Sequence, residues 1–301
     1  MALRIITAEE RLSRKPKINV ALFGPSGVGK TFQAQTLDPE TTLFMDLEAG
    51  TLSLQNWRGD VIDVRKEAAE LGVHPWEFAR AMACLLCGPD PAAPPESPYS
   101  QAWYDRYREA IAPPETFAKY ATLFVDSITV AARMSFAWSK RQPEAYSEKT
   151  GKPDTRGAYG LHGQEMVTWL TQLQHIPEKS VVVVGILDVT YDDFKRPVYE
   201  PQIDGSKAGR ELPGIFDQVI TLGLFTVEEG GAATLDLAKG KHRGFVCHQN
   251  NGFGVPAKDR SGRLDLIEPP DLGALLKKIE AGQRQDLTPV LTMPDQAQQV
   301  A

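Results

Sequence analysis

The chain has 301 residues, 42% of them hydrophobic and 24% charged, a composition that is typical of globular proteins and excludes wholesale disorder. The formal net charge of −6 excludes a protein that coats nucleic acid with its whole surface, but it is compatible with a local basic groove. Three cysteines cannot make a disulfide framework, and no apolar run approaches the roughly 20 residues that span a bilayer. Because no apolar segment follows the charges at the N-terminus, we expect a cytoplasmic protein that has no membrane partner.

The first part of the chain alternates between predicted strands and helices. Residues 1–16 are polar and are expected to form a flexible arm. Residues 17–23 form a predicted strand that runs into a glycine-rich loop, after which a helix is predicted from Lys30 to about Leu37 and a buried strand over 42–47. The stretch 66–118 is less regular. Because a structureless loop of that length would be unusual, we interpret it as an insertion with its own helices.

The second part of the chain continues the alternation. The predicted elements are a strand over 121–125, a helix over 128–140, a surface loop over 141–158, a helix over 159–176, a strand over 180–187, a mobile stretch over 190–213, and a hairpin of strands 218–227 and 234–238. Strands that alternate with helices predict an α/β fold with a mainly parallel sheet. Residues 180–187 are the most hydrophobic and fit the centre of a sheet that is covered on both faces.

The strongest motif is GPSGVGKT at residues 24–31, which matches the pattern G-x-x-x-x-G-K-[ST] between a predicted strand and a predicted helix. In this motif the backbone N–H groups and the helix N-terminus hold phosphate oxygens, the lysine bridges the β- and γ-phosphates, and the hydroxyl contacts Mg²⁺. A glycine-rich turn that binds nothing is the alternative. The predicted nucleotide-binding residues are Gly24, Pro25, Ser26, Gly27, Val28, Gly29, Lys30, Thr31 and Phe32.

Two acidic residues at predicted strand ends complete the candidate site. Asp126 ends the apolar run LFVD and is the expected partner of Thr31 in holding Mg²⁺, although it could instead only cap the next helix. Glu48 follows the strand 42–47 and is expected to polarise the attacking water, with Asp46 as a supporting partner. Asp46 and Asp188 are the alternative catalytic acids, and an exposed loop acid is the alternative interpretation of Glu48.

Taken in order, GPSGVGKT, DLEAG and LFVDSIT resemble the motifs of RecA-like P-loop ATPases. The segments VVVVGIL, PQIDGSKAGRELPGIFDQV and AKGKHR are similar to phage-encoded AAA-type nucleotide-binding proteins with a RecA core, some of which are single-strand annealing proteins. The resemblance covers about residues 17–245. It implies an ATPase domain, which we place over 17–270 with a C-terminal β-hairpin, whereas the insertion at 66–118 and the tail fall outside the resemblance. Over 271–301 we expect a short helix and a tail that is disordered from Gly282, where no periodicity remains.

The resemblance also implies a role for the basic segment after the second strand of the hairpin. In RecA-like assemblies, lysines or arginines of one subunit reach the γ-phosphate that is bound to its neighbour. Lys241 and Arg243, together with Lys239, would point the same way from an extended segment, because alternate residues of a strand share a face. A cation there would neutralise the charge that develops on the transferred phosphoryl group. A solvated basic turn is the alternative.

Two segments correspond to the loops that contact DNA in such assemblies, residues 139–158 and 190–212. From Arg133 to Arg156 there are six basic and three acidic residues, and Tyr146 and Tyr159 could stack on bases. Acidic residues lower the net positive charge of the second segment. For both segments, the alternative interpretation is an ordinary surface loop. The candidate DNA-binding residues are Lys140, Arg141, Lys149, Lys152, Arg156, Lys207 and Arg210.

These observations predict a Mg²⁺-dependent, DNA-stimulated ATPase that acts on single-stranded DNA in phage recombination or replication, within the host cytoplasm. The implied partners are single-stranded DNA, further copies of the chain in a ring or filament, and a single-strand-binding protein. Two other hypotheses stay open. One is a nucleotide-switched module that binds a protein and hydrolyses little ATP, and the other is a P-loop kinase of a small molecule.

Overall fold

Strands from almost the whole length of the chain form one sheet in the computed structural model, which describes residues 4–203, 205–227, 233–237 and 239–281, with the backbone alone for Ser206 and Lys207. The strands are β1 (Asn19–Gly24), β2 (Thr42–Asp46), β3 (Asp60–Asp63), β4 (Thr122–Asp126), β5 (Ser180–Tyr191), β6 (Pro197–Pro201), β7 (Gln218–Val227), β8 (Ala233–Leu235), β9 (His242–Val246), β10 (Lys258–Asp259) and β11 (Ile267–Glu268).

Helices cover both faces of this sheet. They are α1 (Ala8–Ser13), α2 (Val64–Glu70), α3 (Pro75–Cys87), α4 (Gln101–Ala110), α5 (Ile128–Ser139), α6 (Thr155–His175), α7 (Ser206–Ile215) and α8 (Leu272–Ala281). Short 3-10 helices lie at Thr31–Thr36, Thr51–Leu54, Pro114–Phe117 and Pro143–Ala145.

The order of the strands places the P-loop strand in the middle of the sheet. The order is β11-β9-β7-β1-β5-β4-β2-β3, and the pairs from β7 to β3 along this path are all parallel. Gly24 pairs with Ile186 at the end of β1, and Asp46 pairs with Asp126 at the ends of β2 and β4. The predicted α/β fold with a mainly parallel sheet is therefore confirmed. The sheet also explains how residues distant in sequence meet, because parallel strands end at one edge.

Side chains on the two faces of the sheet form two cores. On β1, Ala21 and Phe23 face a core that includes Trp76 of α3 and Trp169 of α6, whereas the alternate residues Val20 and Leu22 belong to the second core. The second core contains Val28 of the P-loop and Leu272 of α8. Because both faces of the central strands are covered, these strands consist of near-continuous apolar runs.

The insertion is helical, as predicted, and packs directly on the main core. Its helices are α2, α3 and α4, and α3 begins with a capping box between His74 and Glu77. Trp76 packs against Trp169 of α6 with the ring centroids 5.4 Å apart and the ring planes tilted by 60°, and the Arg80 guanidinium lies 2.8 Å from the Glu165 carboxylate. The strand β3 just before the insertion was not predicted, because its residues are mostly exposed and show no apolar run.

Several predicted bounds change. The P-loop is followed by a 3-10 helix rather than by an α-helix, and α6 begins at Thr155 because the Asp154 carboxylate caps it. The described residues of the stretch 190–213 form regular elements rather than the predicted loop: β5 extends to Tyr191 and pairs with β6, and α7 follows. The strands β7 and β8 pair in antiparallel fashion as predicted, whereas their turn at 228–232 and the predicted tail from 282 lie outside the described residues.

Within the part of the chain that the structure describes, no helix is long and apolar enough to cross a membrane.

Candidate nucleotide-binding site

The P-loop begins where β1 ends, and its glycines have identifiable structural roles. A side chain at Gly24 would meet the carbonyl oxygen of Leu222 on β7 at 2.6 Å, so the close approach of β7 requires glycine. Gly27 and Gly29 have φ angles of +76° and +105°, which L side chains rarely adopt. Val28 is buried in the core beneath the loop. Contacts of Gly24 with β7 and of Val28 with the core therefore hold the P-loop backbone in this turn.

The Lys30 ammonium group lies inside this turn. Its Nζ donates hydrogen bonds of 2.9 Å to the carbonyl oxygens of Gly24 and Pro25. Burial lowers the pKa of Lys30, and the nearby carboxylates of Asp126 and Glu48 oppose that shift. Because carbonyl oxygens hold the ammonium group where phosphate oxygens bind in such loops, Lys30 fits the predicted role.

Thr31 and Asp126 are in direct contact. The Thr31 hydroxyl donates a hydrogen bond of 2.6 Å to Oδ2 of Asp126, which is 2% exposed. Burial, together with the neighbouring carboxylates of Glu48 and Asp46, raises the pKa of Asp126 to about 6 despite the Thr31 hydrogen bond and Lys30. A hydroxyl and a carboxylate at this spacing are the protein ligands that fit Mg²⁺ beside phosphate oxygens. No cluster of three metal-binding side chains exists among the described residues, and a Mg²⁺ held by phosphates does not need one.

Glu48 is positioned by a buried carboxylate and a hydroxyl. Oδ1 of Asp46 accepts hydrogen bonds from the backbone N–H groups of Glu48 at 2.9 Å and Ala49 at 2.8 Å. Ala49 has a φ of 60°, which is uncommon for a residue other than glycine. The Glu48 carboxylate accepts a hydrogen bond from Ser127 Oγ. The structure thus brings Glu48 beside Asp126, as the sequence predicted, whereas the contact with Ser127 was not predicted.

The alternative acids occupy different environments. Asp46 is 4% exposed, and its Oδ1 is used by backbone N–H groups, so its interactions are those of a positioning residue. Asp188 is exposed on the part of β5 that lies beyond Ile186, the last residue that pairs with β1. Glu48 is therefore the acid whose placement agrees best with the proposed chemistry.

The three basic residues after the hairpin do not form one extended row. Lys239 lies in a turn, where its N–H bonds to the Asp236 carboxylate, and β9 begins only at His242. Lys241 is exposed and its N–H donates to the carbonyl of Phe225. A methyl group at Gly29 would lie 3.8 Å from Nε of Arg243, so Arg243 reaches the P-loop of its own chain.

The candidate DNA-binding residues are exposed wherever their side chains are described, namely at Lys140, Arg141, Lys149, Lys152, Arg156 and Arg210. The Lys207 side chain lies outside the described residues. Tyr159, which was predicted to stack on bases, stacks on Phe136 at a ring distance of 4.4 Å and is 43% exposed. A side chain at Gly205 would contact Tyr159 at 3.7 Å, and Arg133 donates a hydrogen bond to Gln202. Residues on either side of the first predicted DNA segment, Arg133 and Tyr159, therefore lie beside the second segment.

A family model for AAA domains matches residues 16–261, which include every element of this site. The chain belongs to this family. Two solved structures are similar to this chain: the flagellar accessory protein FlaH from Methanocaldococcus jannaschii, with 10% identity and a TM-score of 0.31, and a KaiC-like protein from Pyrococcus horikoshii OT3, with 15% identity and a TM-score of 0.29. Each match covers 76% of this chain and 84% of the other. A search of curated proteins found no match.

The raised pKa of Asp126 predicts a stability effect in the free protein. Because the folded pKa of about 6 exceeds the value of 3.8 that is ordinary for an aspartate in an unfolded chain, the ionised carboxylate destabilises the native state above pH 6, and this cost disappears below about pH 4. We expect Asp126→Asn to raise the free energy of unfolding at pH 8 in EDTA by up to roughly 3 kcal/mol, and with it the thermal midpoint. Near pH 4 the variant and the wild type should have equal midpoints.

Asp188→Asn, which removes an exposed carboxylate, serves as the control and should leave the midpoint unchanged at both pH values. Equal midpoints of Asp126→Asn and wild type at pH 8 would show that the site tolerates the ionised Asp126 without cost.

Proposed function

We propose that this protein is a Mg²⁺-dependent ATPase that acts on single-stranded DNA. The observation that carries the ATPase proposal is the convergence of Lys30, the Thr31–Asp126 pair and Glu48 at one edge of the sheet. A P-loop, a pair of ligands for Mg²⁺ and a separate acid are the three parts that phosphoryl transfer to water requires.

The residues have distinct roles in the proposed reaction. Lys30 would exchange the carbonyl oxygens of Gly24 and Pro25 for phosphate oxygens of ATP. Thr31 and Asp126 would hold Mg²⁺, which neutralises phosphate charge when bound. Glu48 would orient the attacking water and accept its proton, while Ser127 fixes the carboxylate and Asp46 fixes the turn. The separate placement of Glu48 favours hydrolysis over transfer to a small acceptor.

Exposed groups next to this site support action on single-stranded DNA. The β5–β6 hairpin extends past the edge of the parallel sheet and exposes Tyr191 by 70% and Phe194 by 79%. Exposed aromatic rings on a projecting hairpin suit stacking with bases of any sequence. The basic side chains Lys149, Lys152 and Arg156 of the neighbouring segment form no ion pair within the described part of the chain, so their charges are available for phosphates.

The biological setting is proposed from the sequence alone. The similarity to phage-encoded proteins with a RecA core favours annealing or strand exchange during phage recombination or replication. In this setting ATP binding would stabilise a ring or filament of subunits on DNA, and hydrolysis would release it. Assembly with further copies of the chain, and a contact with a single-strand-binding protein, belong to the same proposal.

The first prediction tests the P-loop assignment. Lys30→Ala removes the ammonium group that would bind the β- and γ-phosphates, so we expect loss of ATP hydrolysis and an affinity for ATP that is lower by about tenfold or more. Lys17→Ala is a matched control, because Lys17 Nζ also donates to two backbone carbonyls, at Gln174 and Ile176, outside the site. Normal turnover by a folded Lys30→Ala variant would remove the P-loop from the mechanism.

A second prediction separates catalysis from binding. Glu48→Gln keeps the size of the side chain but removes the proton acceptor, so we expect hydrolysis to slow by roughly a hundredfold or more while ATP affinity is retained. Glu40→Gln, at an exposed acid after the 3-10 helix that follows the P-loop, should leave both quantities unchanged. If Glu48→Gln hydrolyses ATP at the normal rate, the catalytic acid lies elsewhere.

A third prediction concerns DNA. Replacing both Tyr191 and Phe194 by alanine should weaken the binding of an oligo-dT strand by at least tenfold, since one stacked base contributes about 1–3 kcal/mol. Fluorescence anisotropy with ATP present measures the affinity, and phosphate release measures stimulation of hydrolysis by DNA. Trp103→Ala, on the surface helix α4, is the control for loss of an aromatic side chain.

The measurement also separates the alternatives. Wild-type binding by the double variant would place the DNA contact elsewhere. Wild-type protein that hydrolyses ATP without any response to oligo-dT would remove single-stranded DNA from the proposal.

A further inference from the structure

We propose that Arg243 binds phosphate oxygens of the nucleotide held by the P-loop of its own chain, rather than a nucleotide held by a neighbouring subunit. This inference rests on the proposed ATP site and assigns to it one further residue. It gives Arg243 a different role from Lys241, although the sequence had suggested that both contact the nucleotide of a neighbouring subunit. Three observations support it: the register of β9, the face on which Arg243 lies, and the absence of a competing partner.

The register of the sheet places Arg243 beside its own P-loop. On β9, Arg243 pairs with Leu224 of β7, and β7 pairs in turn with the P-loop strand β1. The antiparallel direction of β9 brings its first residues to the edge at which β1 ends. Two strand spacings therefore separate the backbone of Arg243 from that of β1, a distance of roughly 10 Å that an arginine side chain can largely bridge. Because β1, β7 and β9 belong to one chain and pair in one sheet, their register keeps Arg243 close to the P-loop of its own chain.

The side chain of Arg243 lies on the P-loop face of the sheet. Residues 243 and 245 of a strand share one face, and Phe245 is buried in the core that contains Val28 of the P-loop. Nε of Arg243 lies 3.8 Å from the position that a methyl group on Gly29 would occupy. Because Gly29 has no side chain, the Arg243 guanidinium can approach the backbone of the P-loop at the position where phosphate oxygens would bind.

The charge of Arg243 is not used elsewhere. Among the residues that the structure describes, no side-chain hydrogen bond or ion pair involves the Arg243 guanidinium, and the side chain is exposed. Among the described residues, Asp192 pairs with Arg196 and Asp217 pairs with Arg260, whereas no carboxylate pairs with Arg243. An unpaired guanidinium beside a phosphate-binding loop offers donors for charge-assisted hydrogen bonds to phosphate oxygens.

Contact of Arg243 with a nucleotide in its own chain and contact with a nucleotide in a neighbouring subunit predict different results. An arginine from the same chain contributes to nucleotide binding by a single subunit, whereas an arginine from a neighbour contributes only in an assembly. We expect Arg243→Ala to weaken binding of a fluorescent ATP analogue by about tenfold or more at protein concentrations too low for assembly. Arg243→Lys should restore part of the affinity, because it retains the charge but not the fork of donors.

Lys239→Ala is the matched control, because it removes an exposed cation from the same segment but from a turn. Its affinity for the analogue should equal that of wild type. Circular dichroism checks the fold, and if Arg243→Ala does not fold, Arg243→Gln removes the charge while keeping most of the side chain. Wild-type affinity of a folded Arg243→Ala or Arg243→Gln variant overturns the inference.

Mixed subunits give a second, independent test by ATP hydrolysis. In a mixture of Lys30→Ala and Arg243→Ala subunits, each subunit carries a defect in its own site, so we expect no recovery at any ratio. Recovery that rises with protein concentration would show that Arg243 acts across an interface, and it overturns the inference. If wild-type protein itself binds no ATP analogue, the proposed ATP site fails, which is a different result from equal binding by wild type and Arg243→Ala.

Discussion

The parallel pairing of β1, β5, β4 and β2 forces acidic side chains into a small space at the edge of the sheet, and the site is organised around their mutual repulsion. Asp46 and Asp126 end paired strands, and Glu48 follows two residues after Asp46. Burial, Glu48 and Asp46 raise the pKa of Asp126. Burial lowers the pKa of Lys30, and the carboxylates of Asp126 and Glu48 oppose that lowering. At Asp126, the ammonium group of Lys30 and the hydroxyl of Thr31 partly offset this repulsion. A divalent cation would offset it more fully, so the binding of Mg²⁺ and the stability of the fold are linked through Asp126.

Hydrogen bonds distinguish the acids that charge alone would leave equivalent. Asp46 is buried and its Oδ1 accepts bonds from consecutive backbone N–H groups, so it holds the turn in one conformation. Glu48 extends from that turn and meets only the Ser127 hydroxyl among these contacts. Asp126 faces Thr31. The three acids of this cluster therefore differ in environment, because each meets a different donor, and these differences match the roles proposed for them as metal ligand, proton acceptor and structural carboxylate.

The sequence predicted the parts of the site that depend on local residues and missed those that depend on register. GPSGVGKT, Glu48 and Asp126 were recognised because each motif stands next to an apolar strand, and a buried parallel sheet brings such strand ends together. The position of Arg243 depends instead on the pairing of β9 with β7, which no local pattern in KGKHRGFV specifies. The β5–β6 hairpin was missed for a related reason, since its polar and aromatic residues pair outside the core and lack the apolar alternation that marks a strand.

A short chain of contacts connects Glu48, the proposed catalytic acid, to the projecting β5–β6 hairpin. Ser127, which bonds to Glu48, precedes Thr129, whose hydroxyl accepts a hydrogen bond of 2.9 Å from the N–H of Ile186 on β5. The carbonyl of Ile186 in turn accepts a hydrogen bond of 2.8 Å from the N–H of Gln202, just after β6. Ile186 also pairs with Gly24 at the start of the P-loop. A shift of the hairpin on binding a ligand would therefore strain hydrogen bonds that end at both the P-loop and Glu48. This arrangement supplies a short physical route by which a ligand on the hairpin could change the proposed hydrolysis, because Ile186 contacts both the hairpin and the P-loop strand.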